Sequence, residues 1–351
     1  MADTAATTFT CTVGAFGESG RLGADIDAIL ERTDAGRNVG ESEGSRMRLV
    51  MLSGGVGGAR LARGLAALDD VDLTVIVNVG DDEEVYGLHV SPDIDTVTYT
   101  LSGIEGPHGW GLDNDSQTVM THLEDFGVDT RFSIGDGDLA TNLYRTMRLR
   151  DGAVLSEITS EICAVLGLET RVVPATNDRL RTEVLVGEEG WLSFQEYFVL
   201  RGHEDEVHDV RFGNSKSASP APGVVEALMN ADAVVIGPSN PPLSIWPILA
   251  IPEIAGLVEA APRVLAISPL FGGKALKGPA DRVLFSLGLP DGNEGVVSAY
   301  AGLISDLVID QSDAAERGKL TNLGVGVHVR NTRFPDLATA RQFGEWMIDL
   351  I

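Results

Sequence analysis

Lysine is almost missing from this chain. Among 351 residues only Lys216, Lys274, Lys277 and Lys319 are lysines, and arginine carries the rest of the positive charge. Basic residues are scarce altogether: 26 Lys+Arg face 52 Asp+Glu, for a formal charge of −26. So acidic a chain is repelled by a phosphodiester backbone, and no local basic patch offsets this, so a nucleic-acid-binding module is excluded. An acidic, lysine-poor composition suits a high-salt interior and equally follows from a GC-rich genome; it speaks to solubility, not to fold. Cysteine is limited to Cys11 and Cys163, far apart and without His or Cys at metal spacing, which removes zinc sites and disulfide frameworks and leaves incidental or buried thiols. No apolar run reaches the roughly 18 residues of a membrane span, and the first residues lack the basic-then-apolar pattern of an export signal. A cytoplasmic protein with no membrane partner is expected.

What is present is a chain of 44% hydrophobic residues, 6% of all residues being aromatic, which suits one large globular domain or two interleaved ones. Residues 1–46 show no apolar alternation and one weak helical stretch near Asp25 to Glu31, and read as a poorly ordered extension. From Met47 an apolar run, Leu49 to Leu52, breaks into Ser53-Gly54-Gly55-Val56-Gly57-Gly58-Ala59-Arg60, and Leu61, Leu65 and Leu68 follow at helical spacing: strand, glycine loop, helix. A second strand, Leu73 to Val77, implies a parallel pair joined by a right-handed crossover. Further strands at Ala233 to Ile236, Val264 to Ile267 and Leu307 to Ile309 alternate with helices near Ser244 and Gly295. Between the halves, helices over Asp115 to Phe126, Asp138 to Arg150 and Ser156 to Leu166 precede a hairpin of Thr182 to Val186 and Trp191 to Val199. The expected fold is α/β: a Rossmann-like, mostly parallel sheet over residues 47–134 and 216–351, with an inserted, lid-like α+β subdomain over 135–215.

Chemistry is expected at the strand ends, where open α/β sheets bind ligands. Glycines after the first strand allow close backbone approach, and the helix N-terminus behind them favours an anion, so Gly55, Val56, Gly57 and Gly58 read as a phosphate loop with Arg60 adding charge. Neither the dinucleotide fingerprint nor the P-loop spacing is met, because Arg60 stands where a third glycine would fall and no Gly-Lys-Ser/Thr occurs. Asp81, Asp82, Asp93 and Asp95 follow within a short span, a set suited to holding Mg²⁺ through one or two carboxylates plus phosphate oxygens. Capping of the helix near Thr96 accounts for one of the four at most. Asp138 reads as a helix cap. Ser239 and Asn240, between prolines at a strand end, offer fixed polar groups for a base or phosphate. Lys274 and Lys277 lie in a Gly-Gly-Lys loop that either balances phosphate charge or is plain surface. Trp110, between glycines, suits stacking on a planar ring or packing. The six histidines form no ligand spacing or triad.

The ordered set Gly54 to Arg60, Asn78-Val79-Gly80-Asp81-Asp82, Pro92-Asp93-Ile94-Asp95-Thr96, Gly135 to Thr141, Pro174 to Asp178, Phe194-Gln195-Glu196 and Pro238-Ser239-Asn240-Pro241 resembles the 2-phospho-L-lactate transferase family, also called CofD or FbiA. The resemblance spans roughly residues 48 to 310. It implies a Mg²⁺-dependent transferase of coenzyme F-420 biosynthesis. Such an enzyme moves a phospholactyl or phosphoenolpyruvyl group from a guanosine diphosphate-linked donor to the ribityl hydroxyl of 7,8-didemethyl-8-hydroxy-5-deazariboflavin, releasing GMP. On that resemblance the glycine loop cradles the diphosphate, Asp81 helps hold Mg²⁺ with Asp95 as the second carboxylate, Asp95 contacts the deazaflavin acceptor, and Ser239 and Asn240 serve the guanosine side. Asp81 and Asp95 are also the candidates for orienting or deprotonating the hydroxyl. Many members carry basic residues where Ser133 and Gly137 stand here. The alternative is a non-catalytic nucleotide- or nucleotide-sugar-binding regulator of the gluconeogenesis-factor type. A homodimer is the expected assembly.

Overall fold

Apolar runs long enough to be buried on both faces can only be satisfied inside a sheet covered by helices on each side. A computed structural model, which describes residues 6–9 and 46–351, shows that sheet. Its seven strands are numbered here in chain order: β1 (Met47–Ser53), β2 (Val71–Val77), β3 (Arg171–Pro174), β4 (Ala233–Ile236), β5 (Val264–Ile267), β6 (Asp306–Asp310) and β7 (Gly326–Arg330). They lie in the order β7-β6-β5-β4-β1-β2-β3, every neighbouring pair parallel. That is the Rossmann order with one strand added, and the order reverses between β1 and β4. All four residues of β4 and of β5 are buried, as are the last five of β1.

Five helices position the site and cover the sheet around it: α1 (Gly55–Ala66), α2 (Pro92–Ser102), α3 (Asp136–Arg150), α4 (Leu155–Val165) and α5 (Leu337–Leu350). No single described helix is long and apolar enough to cross a membrane. Cys163 is buried on α4, where burial pushes its thiol up to about 12; Cys11 lies outside the described residues.

The structure divides the chain differently from the expected boundaries in three respects. β3 runs through the stretch expected as insertion. Four residues opening with an arginine and closing on a proline are legible as a strand only beside β2, and the proline is tolerated because β3 is an edge. The excursion from the core is therefore double. Helices between β2 and β3 form one part, and an antiparallel sheet between β3 and β4 forms the other. That sheet has the order Ala6–Phe9, Val207–Gly213, Arg181–Val186, Gly190–Ser193. The first of these strands comes from the expected extension; the rest of residues 1–45, with the helical stretch near Asp25, lies outside the described residues. Nor is the sheet a free lid, since Val184, Val210 and Phe212 share one apolar cluster with Leu243, Val283 and Leu287 of the core.

The strand expected over Trp191 to Val199 ends at Ser193, and the chain coils over Glu196–Leu200. Phe194 stacks on Phe198 at 5.2 Å and Tyr197 is fully buried, a three-and-four spacing that belongs to a helical turn.

β7 and α5, which lie beyond the motif-bearing region, close the far edge. Asp336 caps α5 by accepting from Thr339 N at 2.8 Å, and the helix crosses α1 closely enough that a Cβ on Gly64 would stand 2.4 Å from the Ala340 carbonyl carbon. Gly64→Ala should therefore force the two helices apart and cost roughly 1–3 kcal/mol, read as a lower urea midpoint at unchanged slope. A variant of wild-type stability would show that this crossing does not hold the C-terminal helix.

Candidate active site

Open α/β sheets bind their ligands in the crevice where the strand order reverses, which here falls at the C-terminal ends of β1 and β4. The loops leaving these strands are locked together. Ser239 Oγ donates to Gly54 O at 2.7 Å and accepts from Gly54 N at 3.2 Å. A Cβ on Gly57 would fall 2.4 Å from Pro238 O, and one on Gly58 would fall 2.8 Å from Ser239 Oγ as well as 2.3 Å from Ser53 Oγ of its own strand. These glycines are thus demanded by contact between two loops, before any ligand is considered. Gly55 has φ +67°, and its N–H donates to Asp93 Oδ1 at 2.5 Å. Val56 and Gly57 follow in the first turn of α1, where backbone N–H groups have no acceptor within the helix.

The four carboxylates sit at the end of β2 and the start of α2, all buried. One amide organises two of them: Asn78 Nδ2 donates to Asp93 Oδ2 (2.9 Å) and to Asp81 Oδ1 (3.2 Å), while Asp81 Oδ2 accepts from Asp93 N (3.0 Å). Asp82 Oδ2 takes Ser91 Oγ (3.0 Å) and faces His89 Nε2 (2.8 Å). Asp95 is ion-paired through Oδ1 with Arg145 of α3, a guanidinium with no solvent exposure that also donates to Asn142 Oδ1 at 2.6 Å. Asp138, which does not cap α3 with its side chain, accepts from Tyr99 (3.0 Å) and Asn142 (3.2 Å). Of the two carboxylates expected to share a cation, Asp81 shares the Asn78 amide with Asp93, and Asp95 pairs through Oδ1 with Arg145.

This cluster is short of positive charge. Burial and the neighbouring Asp93 and Asp82 hold the Asp81 carboxyl well above the usual carboxylate range; burial pushes Asp93 to about 6, and burial with the charge of Asp95 pushes Asp138 to about 7. Asp95 is also raised, because burial outweighs its arginine. Asp82 Oδ1 and Asp95 Oδ2 are buried without a partner. Oxygen donors with unmet charge are the chemistry of a hard cation. Among the described residues no three His, Cys, Asp or Glu side chains converge as a complete ligand set, so the arrangement suits an ion that completes its shell with water and ligand oxygens.

Two cations, Arg60 and Lys277, lie near one another. Arg60, on α1, donates to Phe334 O at 3.4 Å, and its charge together with burial lowers Lys277, whose Nζ donates to His108 O at 2.7 Å and lies 5.2 Å from the Trp110 ring centre. Trp110 itself is 54% exposed, on a loop whose Gly109 packs against Val56. Asn240 Oδ1 accepts from Leu243 N at 3.3 Å, capping the next turn. Ser133 bonds Gln117, and Gly137 N donates to Asp115 Oδ1 at 2.7 Å.

The profile of the family 2-phospho-L-lactate transferase CofD matches residues 49–324. The chain belongs to that family. A 2-phospho-L-lactate transferase of Methanopyrus kandleri is 43% identical over 275 residues, covering 77% of this chain and 88% of its own. A phosphoenolpyruvate transferase of Streptomyces griseus is 40% identical over 287 residues, covering 80% and 90%. A crystal structure of a UPF0052-family protein from Bacillus halodurans matches with a TM-score of 0.61 over 88% of this chain and 100% of that one; at 18% identity it is a likeness of fold. The chain is thus a CofD-family transferase of coenzyme F-420 biosynthesis.

Three residues central to this CofD-family site escaped sequence reading as site residues: Asn78, His89 and Arg145. Asn78 directly precedes the acidic turn and was within reach. Arg145 lies 50 positions from its partner, and only its burial singles it out.

For a buried carboxyl raised above its unfolded value near 3.8, the folded state binds the proton more tightly. The stability this contributes is present at low pH and is lost as pH rises through the folded value, about 6 for Asp93. Chelated protein should accordingly gain a few degrees in Tm from millimolar Mg²⁺ at pH 7.5 and little at pH 5, against NaCl at matched ionic strength. Equal Tm with and without Mg²⁺ at pH 7.5 would count against a cation site.

Proposed function

We propose that this CofD-family transferase moves a 2-phospholactyl or phosphoenolpyruvyl group from a guanosine diphosphate-linked donor to the ribityl hydroxyl of a deazariboflavin, releasing GMP. The observation that carries the reading is the set of four buried carboxylates with unmet charge, tied through the Gly55 N–H to Asp93 at the glycine loop. The names of the relatives, 2-phospho-L-lactate transferase and phosphoenolpyruvate transferase, support the class of group transferred.

In this reading Arg60, Lys277 and the N–H groups of Val56 and Gly57 bind the diphosphate. Asp81 and Asp93, joined by Asn78, would hold Mg²⁺, with Asp95 kept apart by Arg145; the metal would offset the charge on the transferring phosphoryl oxygens. Ser239 keeps the guanosine-side loop in register with the glycine loop, and Asn240 fixes the turn that follows. Asp95, turned by Arg145 so that Oδ2 is left over, orients the attacking hydroxyl. The hydroxyl oxygen forms a bond to the phosphorus bearing the three-carbon acid and passes its proton to Asp95 Oδ2; the bridging P–O bond breaks, and its electron pair leaves with GMP. Preorganised charge and alignment supply the rate, since no nucleophilic side chain takes part.

Mass spectrometry of deazariboflavin incubated with Mg²⁺, the protein and each donor should show one phosphoacyl group gained per acceptor, with GMP released and EDTA abolishing both. No adduct from any donor, with a guanosine nucleotide or nucleotide sugar still bound, would point instead to a regulator. Asp81→Asn should lower turnover at least ~100-fold with an unchanged circular dichroism spectrum, and a near-normal rate would remove Asp81 from the mechanism. Arg60→Gln should raise the donor KM about tenfold with kcat little altered, the mark of uniform binding. A change in kcat alone would place Arg60 elsewhere.

A further inference from the structure

A second group of cations lies on the far edge of the sheet, three strands from the crevice. Arg317, His328, Val329, Arg330, Trp346 and Leu350 line a pocket of about 350 Å³ between β7, the end of α5 and the short helix Arg317–Thr321. In a chain with 52 acidic and 26 basic side chains, an arginine finds a carboxylate easily, and many here do. Arg317 and Arg330 make no ion pair with any described carboxylate. Arg330 spends one N–H on the Val329 carbonyl (3.0 Å), and its guanidinium lies 4.4 Å from the Trp346 ring centre, so stacking braces the group while leaving its other edges open.

Asp306, which His328 faces, is already occupied. Asp306 accepts from Arg263 Nε (2.9 Å) and Ser305 Oγ (2.9 Å) and faces His328 Nε2 (2.8 Å). Arg263 also reaches Ile351 O at 3.5 Å, beside the chain terminus. With Nε2 turned to Asp306, His328 has its Nδ1 edge free. Two guanidiniums without counter-charge, an imidazole held by one edge and an aromatic wall form a receptor for a planar-faced oxyanion, and guanidinium forks match phosphate and carboxylate geometry.

We propose that this pocket is a second ligand site, taking a small multivalent anion of the phosphate class. It stands apart from the transferase crevice: three of its four polar or aromatic recognition residues, His328, Arg330 and Trp346, lie beyond residues 49–324 that match the family. Its volume accommodates a phosphate ester of several heavy atoms.

Equilibrium dialysis of the full chain against inorganic pyrophosphate, without divalent metal, tests this. One equivalent of bound pyrophosphate per chain should weaken at least tenfold in the Arg317→Gln/Arg330→Gln double variant. The same equivalent should survive Arg60→Gln, which separates it from anything bound in the crevice. Both arginines are on the surface, and circular dichroism checks the fold; if the double variant fails to fold, Arg317→Gln alone serves, with a several-fold weakening expected. Binding equal in wild type and variants overturns the proposal, as does a wild-type chain that binds no pyrophosphate at millimolar concentration or one whose only equivalent disappears with Arg60→Gln.

Discussion

The loops that leave β1 and β4 meet with no room for a Cβ at Gly57 or Gly58, and the hydroxyl of Ser239 closes the contact on both backbone groups of Gly54. Everything at the crevice is referred to that seam. It sets where α1 begins, and so where its free N–H groups point. It also brings Gly55 to Asp93, tying the glycine loop to the acidic side by a hydrogen bond. A side chain at either glycine would part the loops, and the carboxylates would lose their registration against the helix N-terminus.

The second organising fact is the imbalance of charge inside the protein. Asp81, Asp82, Asp93 and Asp95 are buried together, with one guanidinium, Arg145, in their network. A buried carboxylate without a counter-ion holds its proton, which is why Asp81 and Asp93 are raised. The arrangement costs folding free energy. Asn78 does the local work, since one amide nitrogen keeps two like-charged groups within hydrogen-bond reach of the same point. Arg145 does the opposite for Asp95, removing it from that pair and leaving one of its oxygens free. Four acidic residues that look equivalent in sequence thus take unequal roles through their partners.

Much of the site was legible because its chemistry is local. The glycine run after an apolar strand, the Gly80-Asp81-Asp82 turn and the Pro92 helix start are short-range patterns whose physical meaning survives without a fold. The division of labour was not legible. Arg145 is a helix residue among other arginines until packing buries it, and Asp138 resembles a cap until Tyr99 and Asn142 claim it. In the fold, the long apolar strands announced themselves. β3 did not, being four residues at an edge, nor did the coil at Glu196–Leu200, where aromatics at helical spacing sit behind a strand-like hairpin.

By itself the sequence determined the long apolar strands and most of the helices between them, the glycine loop and the acidic loops, because each depends on residue type and spacing along a few turns of chain. Only the tertiary structure decided that β1 and β4 are neighbours, that Gly57 and Gly58 answer to another loop, that Asp93 and not Asp95 shares an amide with Asp81, and that Arg317, Arg330 and Trp346 share a pocket. Those are contacts between residues tens to hundreds of positions apart. Their energies come from burial, which strips water from charges and makes a partner's identity matter, and burial is a property that no local pattern carries.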